Sequence, residues 1–483
     1  MNDFRYILRF LGLLLLAEGA MMLLCLSASL YFRDGAWLPI LLSGAISLSS
    51  GLLLFLANFR CRRLEKKRLA YLLVSLMWIV LGLFGSLPFL LSHSVASFFD
   101  ALFESLSGLT ATGATALPDI ESLPQSVLLW RSLSQWIGGF GIILLVLAIA
   151  PRLGINKYSL YTAEASGADN SSKSSIRMST TIRRMLVIYL SLSAAFFLLL
   201  CLSGLSPWAS LNLVFTNISS GGFSIYNDGI ARLSHSQQLL IAAAMWFSGI
   251  SFAMLYDLFT FKISRLRHKL DQFGFYASVT LFAVLTISLY LRLRLNLSTS
   301  DSLRLGIIQA TSAITTSGTM AADVTLWSPL ANYVFMILAL CGAMAGSTSG
   351  GLKAMRVLIL LRNVRMHLIQ RLHPNSTNPI RLNGHPVSPS ISTNVMVIFF
   401  LYVFTLLLGS SLLITFGESP TESIGAAVGC LSGYGPGLAS TGGFGSYAAF
   451  SPASKALCSL LMILGRLECL TVLILLTRKF WHR

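Results

Sequence analysis

The sequence predicts an all-α polytopic membrane protein: a leading two-helix hairpin, then four repeats of span, short helix, glycine stretch and span. Three observations predict it. The 483 residues are 55% hydrophobic and only 11% charged, against roughly 25% charged in a soluble domain, and the mean hydropathy is +0.74. Ten apolar segments approach the ~20 residues that a spanning helix requires. Four stretches rich in glycine and hydroxyl residues recur among the later segments: Thr110-Ala111-Thr112-Gly113, Ser219-Ser220-Gly221-Gly222, Thr315-Thr316-Ser317-Gly318 and Ser432-Gly433-Tyr434-Gly435. Each has a hydroxyl residue three places before its last glycine. Those glycines lie 109, 96 and 117 residues apart (Gly113 to Gly222, Gly222 to Gly318, Gly318 to Gly435), which marks a long internal repeat.

A net charge of +17 could point to nucleic acid. The basic residues instead sit mainly in loops between apolar spans, as the positive-inside rule requires, so the expected partner is the lipid bilayer and no nucleic acid. Seven cysteines are scattered without a CxxC pair or a Cys/His cluster. They read as packed thiols. No GxSxG, HExxH or P-loop occurs, and nothing suggests an enzyme.

The expected spans are 7–31, 38–58, 69–92, 126–150, 185–205, 237–261, 273–292, 329–361, 394–416 and 453–477. The first could be a signal peptide, since Arg5 and Arg9 precede the apolar run, but Ile7 to Leu30 is longer than a usual h-region. The first two spans form the hairpin, and the other eight form four pairs. Short helices are expected before each glycine stretch, at Ser97–Leu106, Pro207–Asn217, Asp301–Ser312 and Ser419–Leu431. Ser or Asp at their starts is a helix-start signal. The units are 1–68 (hairpin), 69–182, 183–270, 271–390 and 391–483.

The loops orient this plan. Arg60, Arg62, Arg63, Lys66, Lys67 and Arg68 follow span two. Lys262, Arg265, Arg267 and Lys269 follow span six. Arg356, Arg362, Arg365, Arg371 and Arg381 lie at and beyond the end of span eight, and Arg478, Lys479 and Arg483 end the chain. With alternating spans all fall on one side, the cytoplasm, with both termini. The opposite side carries Asp100, Glu104, Asp119, Glu121, Asp228, Asp301, Asp323, Glu418 and Glu422. This acidic rim could concentrate cations; the same residues also fit a plain solvated surface.

A dehydrated cation needs several oxygens, and rings of backbone carbonyls supply them in potassium pores. Aiming successive carbonyls one way needs unusual backbone angles, which glycine tolerates. The short helices would present their negative C-terminal ends to the ion. One such stretch alone reads as an ordinary loop or a close helix contact; four in register predict filters around a central pore, in repeats of span, pore helix, filter and span.

Two features depart from plain spans. Cys341 to Lys353 carries Gly342, Gly346, Gly350 and Gly351 with three hydroxyl residues. Each glycine costs a helix interior roughly 1 kcal/mol, and consecutive glycines make no packing face, so a loop beneath the filter is expected: a candidate gate. Arg466 lies deep in the last span beside Glu468. At that depth an arginine costs about 2.5–3.5 kcal/mol, so it faces the ion path or an internal partner, Glu468 or carbonyls. His367 and His373 read as solvated.

Taken together, Tyr31 to Ala36, Ser107 to Thr115, Gln135-Trp136-Ile137-Gly138-Gly139-Phe140-Gly141-Ile142, Ser220 to Ser224, Gly350 to Lys353, Gly435-Pro436-Gly437 and Leu464 to Glu468 with Thr471-Val472-Leu473 resemble the TrkH family. These are membrane subunits of bacterial Trk potassium uptake systems, in the Trk/Ktr/HKT superfamily. The match runs the length of the chain. The resemblance implies four linked pore repeats, about ten spanning helices, a homodimer, and a cytosolic nucleotide-binding TrkA-type ring controlling the gate. It implies K+ as the transported ion, no organic cofactor, and a bacterial inner-membrane location. It places filter carbonyls at 110–113, 219–222, 315–318 and 432–435, a gating loop at 342–353 including Lys353, and a pore-facing Arg466. The chain departs from the family pattern at Ser432-Gly433-Tyr434, often Asn-Asn, and at Gly318-Thr319, usually Gly-Phe. The runner-up is a proton- or sodium-coupled transporter, which would need an intramembrane carboxylate; Asp257 and Glu468 come nearest. A membrane-embedded enzyme would need a paired acid and base, and none is seen.

Overall fold

A computed structural model describes residues 2–60, 69–149, 174–261, 270–374 and 379–481. Most of the basic loops between spans two and three and after span six lie outside the described residues. In order, the helices are α1 (Asn2–Phe32), α2 (Trp37–Ala57), α3 (Leu69–Gly85), α4 (Leu87–Leu91), α5 (Phe98–Leu109), α6 (Gln125–Ile149), α7 (Ser174–Leu202), α8 (Pro207–Ile218), α9 (His235–Ser248), α10 (Phe252–Phe259), α11 (Leu270–Arg294), α12 (Thr299–Ile314), α13 (Pro329–Cys341), α14 (Ala354–Leu372), α15 (Pro389–Thr415), α16 (Pro420–Ser432), α17 (Pro452–Arg466), α18 (Leu470–Leu473) and α19 (Arg478–Trp481). The only described strands form a small hairpin, Arg381–Leu382 with His385–Pro386.

The leading hairpin closes through glycine. A Cβ on Gly12 would meet the Gly51 carbonyl at 2.7 Å, and one on Gly51 would meet the Gly12 carbonyl at 2.9 Å. Small residues let apolar helices approach where no hydrophobic force drives them together. The buried side of α1 then meets the first repeat, Tyr6, Ile7 and Leu11 packing with Leu73, Trp78 and Leu109.

Among the described residues, six helices are long and apolar enough to cross a membrane, α1, α2, α11 and α15 being four of them. Two expected spans are instead sharply bent. Span 237–261 breaks between α9 and α10, at 102°. There Gly249 O accepts the Met344 N–H (3.1 Å), and Gly346 O accepts the Phe252 N–H (3.0 Å). Span 453–477 breaks between α17 and α18, at 105°, where Glu468 and Cys469 both take positive φ, 59° and 54°. Span eight breaks where the glycines require it: α13 ends at Cys341 after 13 residues, and the helix resumes only at Ala354.

The four short helices share one construction. α5, α8, α12 and α16 begin after Ser97, Ser206, Ser298 and Ser419, each of whose side chains accepts an N–H from three residues on. Such a cap is worth about 1 kcal/mol. Each helix is too short to span and largely buried, and each ends at a glycine stretch.

Candidate functional site

The same turn ends all four short helices. The N–H of Thr112 bonds the carbonyl of Ser107 (2.9 Å), Gly221 that of Thr216 (2.8 Å), Ser317 that of Ser312 (2.9 Å) and Tyr434 that of Gly429 (3.0 Å). Each spans five residues, as in a Schellman cap. The cap demands a left-handed residue, and Ala111 (φ 53°), Ser220 (55°), Thr316 (55°) and Gly433 (71°) supply it. Three of these are not glycine. Such residues cost of order 1–3 kcal/mol and persist only where the surroundings fix them. Two residues later φ turns positive again, at Gly113, Gly222, Gly318 and Gly435.

These glycines close a ring. A Cβ on Gly113 would lie 2.0 Å from the Gly221 carbonyl oxygen, one on Gly222 1.6 Å from Ser317 O, one on Gly318 2.2 Å from Tyr434 O, and one on Gly435 2.6 Å from Thr112 O. In every case the neighbour is the residue just before the next repeat's glycine. The order is first to second, third, fourth and back to first. All four glycines line one cavity with Thr115, Met320 and Tyr447. The sixteen expected residues therefore converge, with Thr110, Ser219, Thr315 and Ser432 buried at the helix ends.

Buried polar groups brace the ring. Gln135 of α6 donates from Nε2 to Gly221 O (2.9 Å) and accepts the Phe223 N–H at Oε1 (3.1 Å). Asn217 Oδ1 accepts from Thr319 Oγ1 (2.7 Å). The Tyr447 hydroxyl donates to Gly435 O (2.8 Å), and its N–H to Thr115 O (2.8 Å). Glu104 and Arg131 form a buried ion pair at 2.7 Å, with side chains 0% and 1% exposed. Glu104 also accepts from Thr115 Oγ1 and the Ala116 N–H, while Arg131 donates to Ser224 O and lies 4.0 Å from the Phe223 ring centre.

This corrects the acidic rim. Glu104 is wholly buried, and Asp100 pairs with Lys455 at 2.6 Å. Glu121 and Asp228 both engage Arg232. The side-chain amide of Asn227 holds Asp119 below the usual carboxylate range, and its N–H, with Arg232, does the same for Glu121. A paired rim attracts cations less than free carboxylates would.

On the other side of the ring lies the loop 342–353. Gly350 N–H donates to Thr316 Oγ1 (2.6 Å) and Gly351 N–H to Ser432 O (2.8 Å), and Thr348 Oγ1 donates to Ile218 O (3.1 Å). The loop thus touches the ends of three short helices. Gly342, Gly346, Gly351 and Lys353 take positive φ, and a Cβ on Gly350 would sit 1.9 Å from Ser432 O. Lys353 Nζ donates to Ser349 O.

Arg466 fastens this loop. It donates to Thr348 O (3.0 Å) and to Gly138 O of α6 (2.9 Å). Glu468 is not its partner; Glu468 pairs with Arg356 at 2.7 Å, and Arg356 is buried. Of the two expected intramembrane carboxylates, Asp257 is buried, whereas the Glu468 side chain is 35% exposed. Glu104 and Glu18 are buried too, and among the described residues neither Glu18 oxygen has a hydrogen-bond partner. Sequence signals existed for the missed residues: Gln135 and Arg131 are polar within an apolar span, and Asn217 lies two residues before the second stretch.

A family model described as "TrkH: Cation transport protein" matches residues 45–483. The chain belongs to the TrkH family. It is 31% identical to the Trk system potassium uptake protein TrkH of Halomonas elongata, over 99% of each chain. Identity to the TrkH of Escherichia coli K12 is also 31%, again over 99% of each chain. The crystal structure of the potassium transporter TrkH from Vibrio parahaemolyticus superposes with a TM-score of 0.89 at 30% identity, covering 99% of this chain and 100% of that one. This TrkH-family chain therefore shares its mostly helical fold with that structure along nearly its whole length.

Proposed function

We propose that this chain carries potassium uptake across the bacterial inner membrane through a pore at the centre of the glycine ring. One observation carries the reading: four equivalent strands, each with alternating backbone sign, meet glycine to carbonyl in a closed cycle. In this reading the carbonyls of 110–113, 219–222, 315–318 and 432–435 replace the ion's hydration shell. The C-termini of α5, α8, α12 and α16 add partial negative charge. The names of the relatives support potassium as the ion. The basic loops of the sequence, all on one side if the spans alternate, support cytoplasmic termini. A homodimer and a cytosolic nucleotide-binding TrkA-type ring complete the proposed assembly. The test is growth of a bacterial host lacking its own K+ uptake. The wild-type chain, with its regulatory partner, should restore growth at low K+, and a variant with Gly435→Ser should not; equal growth of both would reject the ring as the path.

The loop 342–353 is the proposed gate, with Gly342, Gly346, Gly350 and Gly351 as its flexible points and Lys353 at its end. Arg466 is its latch and an electrostatic barrier. Two unit charges at 4 Å repel by ~4 kcal/mol at an effective dielectric near 20 and ~1 in water. Arg466→Ala removes the charge and both hydrogen bonds, so K+ flux should rise roughly tenfold, the factor given by about 1.4 kcal/mol. Its partners are backbone carbonyls, so no buried charge is stranded and extracted yield should hold. Unchanged flux at normal yield would reject the latch. Shortening Gly346 to Gly351 should likewise raise basal flux, measured in the same vesicles.

A proton-coupled reading draws on Glu18, whose buried carboxyl lies beside Gly85 of the first repeat and has no hydrogen-bond partner among the described residues. A protonophore separates the two: passive conduction continues, whereas coupled uptake stops.

A further inference from the structure

The four seams of the ring are tied in different ways. Gln135 Nε2 donates to Gly221 O at the first seam. The loop bridges third and fourth strands through Thr316 Oγ1 and Ser432 O. Tyr447 N–H donates to Thr115 O at the seam of fourth and first. Between second and third strands the tie is a side-chain cluster. Asn217, second from the end of α8 and 1% exposed, is itself anchored by Nδ2 to Leu213 O at 2.8 Å. Its Oδ1 accepts from Thr319 Oγ1 at 2.7 Å and Ser317 Oγ at 3.4 Å. The two hydroxyls are 3.2 Å apart.

Ser317 and Thr319 flank Gly318, and the Ser317 carbonyl is the one that faces Gly222. Asn217 stands five residues before Gly222 in the same repeat. One amide therefore fixes the third strand against the second on both sides of the closest approach in the ring. Of the residues following the four glycines, Ala114, Phe223, Thr319 and Pro436, only Thr319 carries a side-chain hydroxyl. The unusual residue and its acceptor occur together.

We infer that Asn217, acting through Thr319 and Ser317, is a positioning residue that sets discrimination between K+ and Na+ by fixing the spacing of the second and third strands. Carbonyl spacing and field decide which ion replaces its water at least cost, and a strand free to shift accommodates the smaller ion. The inference rests on the proposed reading of the ring as the filter.

Proteoliposome flux of K+ and Na+ in full-length variants tests it. Asn217→Ala and Thr319→Val should each lower the K+/Na+ ratio roughly fivefold, the factor one neutral hydrogen bond is worth. The double variant should fall no further than Asn217→Ala alone, because that change already removes the bond from Thr319. Thr319→Ser keeps the hydroxyl and should keep the ratio. A merely structural role would lower yield and both fluxes together, leaving the ratio unchanged, and would overturn the inference; so would additive single effects. If Asn217→Ala does not insert, Thr319→Val removes the same bond from the other side and decides. Gly318→Ser is the control. If it collapses the ratio while the tie variants do not, this inference fails alone; if it leaves the ratio intact, the ring is not the filter.

Discussion

Gly222→Ala should abolish selective K+ transport, lowering K+ flux by at least about a hundredfold while the protein still inserts. Two independent effects act at this position. Its φ of +72° suits glycine, and any other residue pays roughly 1–2 kcal/mol there. The added Cβ would also lie 1.6 Å from the Ser317 oxygen, a backbone atom that no rotamer change can move. The ring must open at the second seam. The corresponding separations grow from 2.0 Å at Gly113 to 2.2 Å at Gly318 and 2.6 Å at Gly435, so alanine should do least damage at Gly435. Measured K+ and Na+ fluxes, beside extracted yield, check the order. Wild-type ratios in Gly222→Ala would remove the ring from the ion path.

Glu104→Ala should destabilise the whole protein. Its loss strands the Arg131 guanidinium, whose side chain is 1% exposed. Removing one partner of such a pair costs about 3–5 kcal/mol, a large share of a typical 5–15 kcal/mol stability. Thr115 Oγ1 and the Ala116 N–H lose their acceptor as well. Glu104→Gln retains an acceptor and should be milder. Replacing both partners with Leu should also be milder than the single change, since a buried pair gains little over packed apolar groups. Thermal unfolding of the detergent-solubilised variants measures all three. A melting temperature for Glu104→Ala equal to wild type would show that the pair braces nothing.

Much of this site was legible in the sequence because its chemistry is local. A hydroxyl residue followed three places on by a glycine recurs wherever one of the four short helices ends in a left-handed cap. The loop 342–353 announced itself through glycines too close together for a helix face. The bends were less visible. Gly249 is a single glycine in an apolar run, and no glycine or proline marks Leu467-Glu468-Cys469. Their breaks are imposed by contacts with remote residues, Met344 and Gly346 at one and Arg356 at the other. The seam ties were hidden for the same reason. Asn217 and Thr319 lie 102 residues apart, and only closure of the ring brings them together. Glu104 was misplaced on the rim because a carboxylate midway along a short helix looks solvated until Arg131 is found 27 residues on.

The most direct measurement is ion flux into proteoliposomes containing the full chain, with K+, Rb+, Na+ and Li+ offered singly and no other gradient imposed. Uptake of K+ and Rb+ should exceed that of Na+ and Li+ by at least about tenfold, and Gly222→Ala should erase the difference at unchanged yield. Equal uptake of all four ions by the wild-type chain, or K+ uptake that appears only with an imposed proton or sodium gradient, would contradict a selective passive pore at the glycine ring.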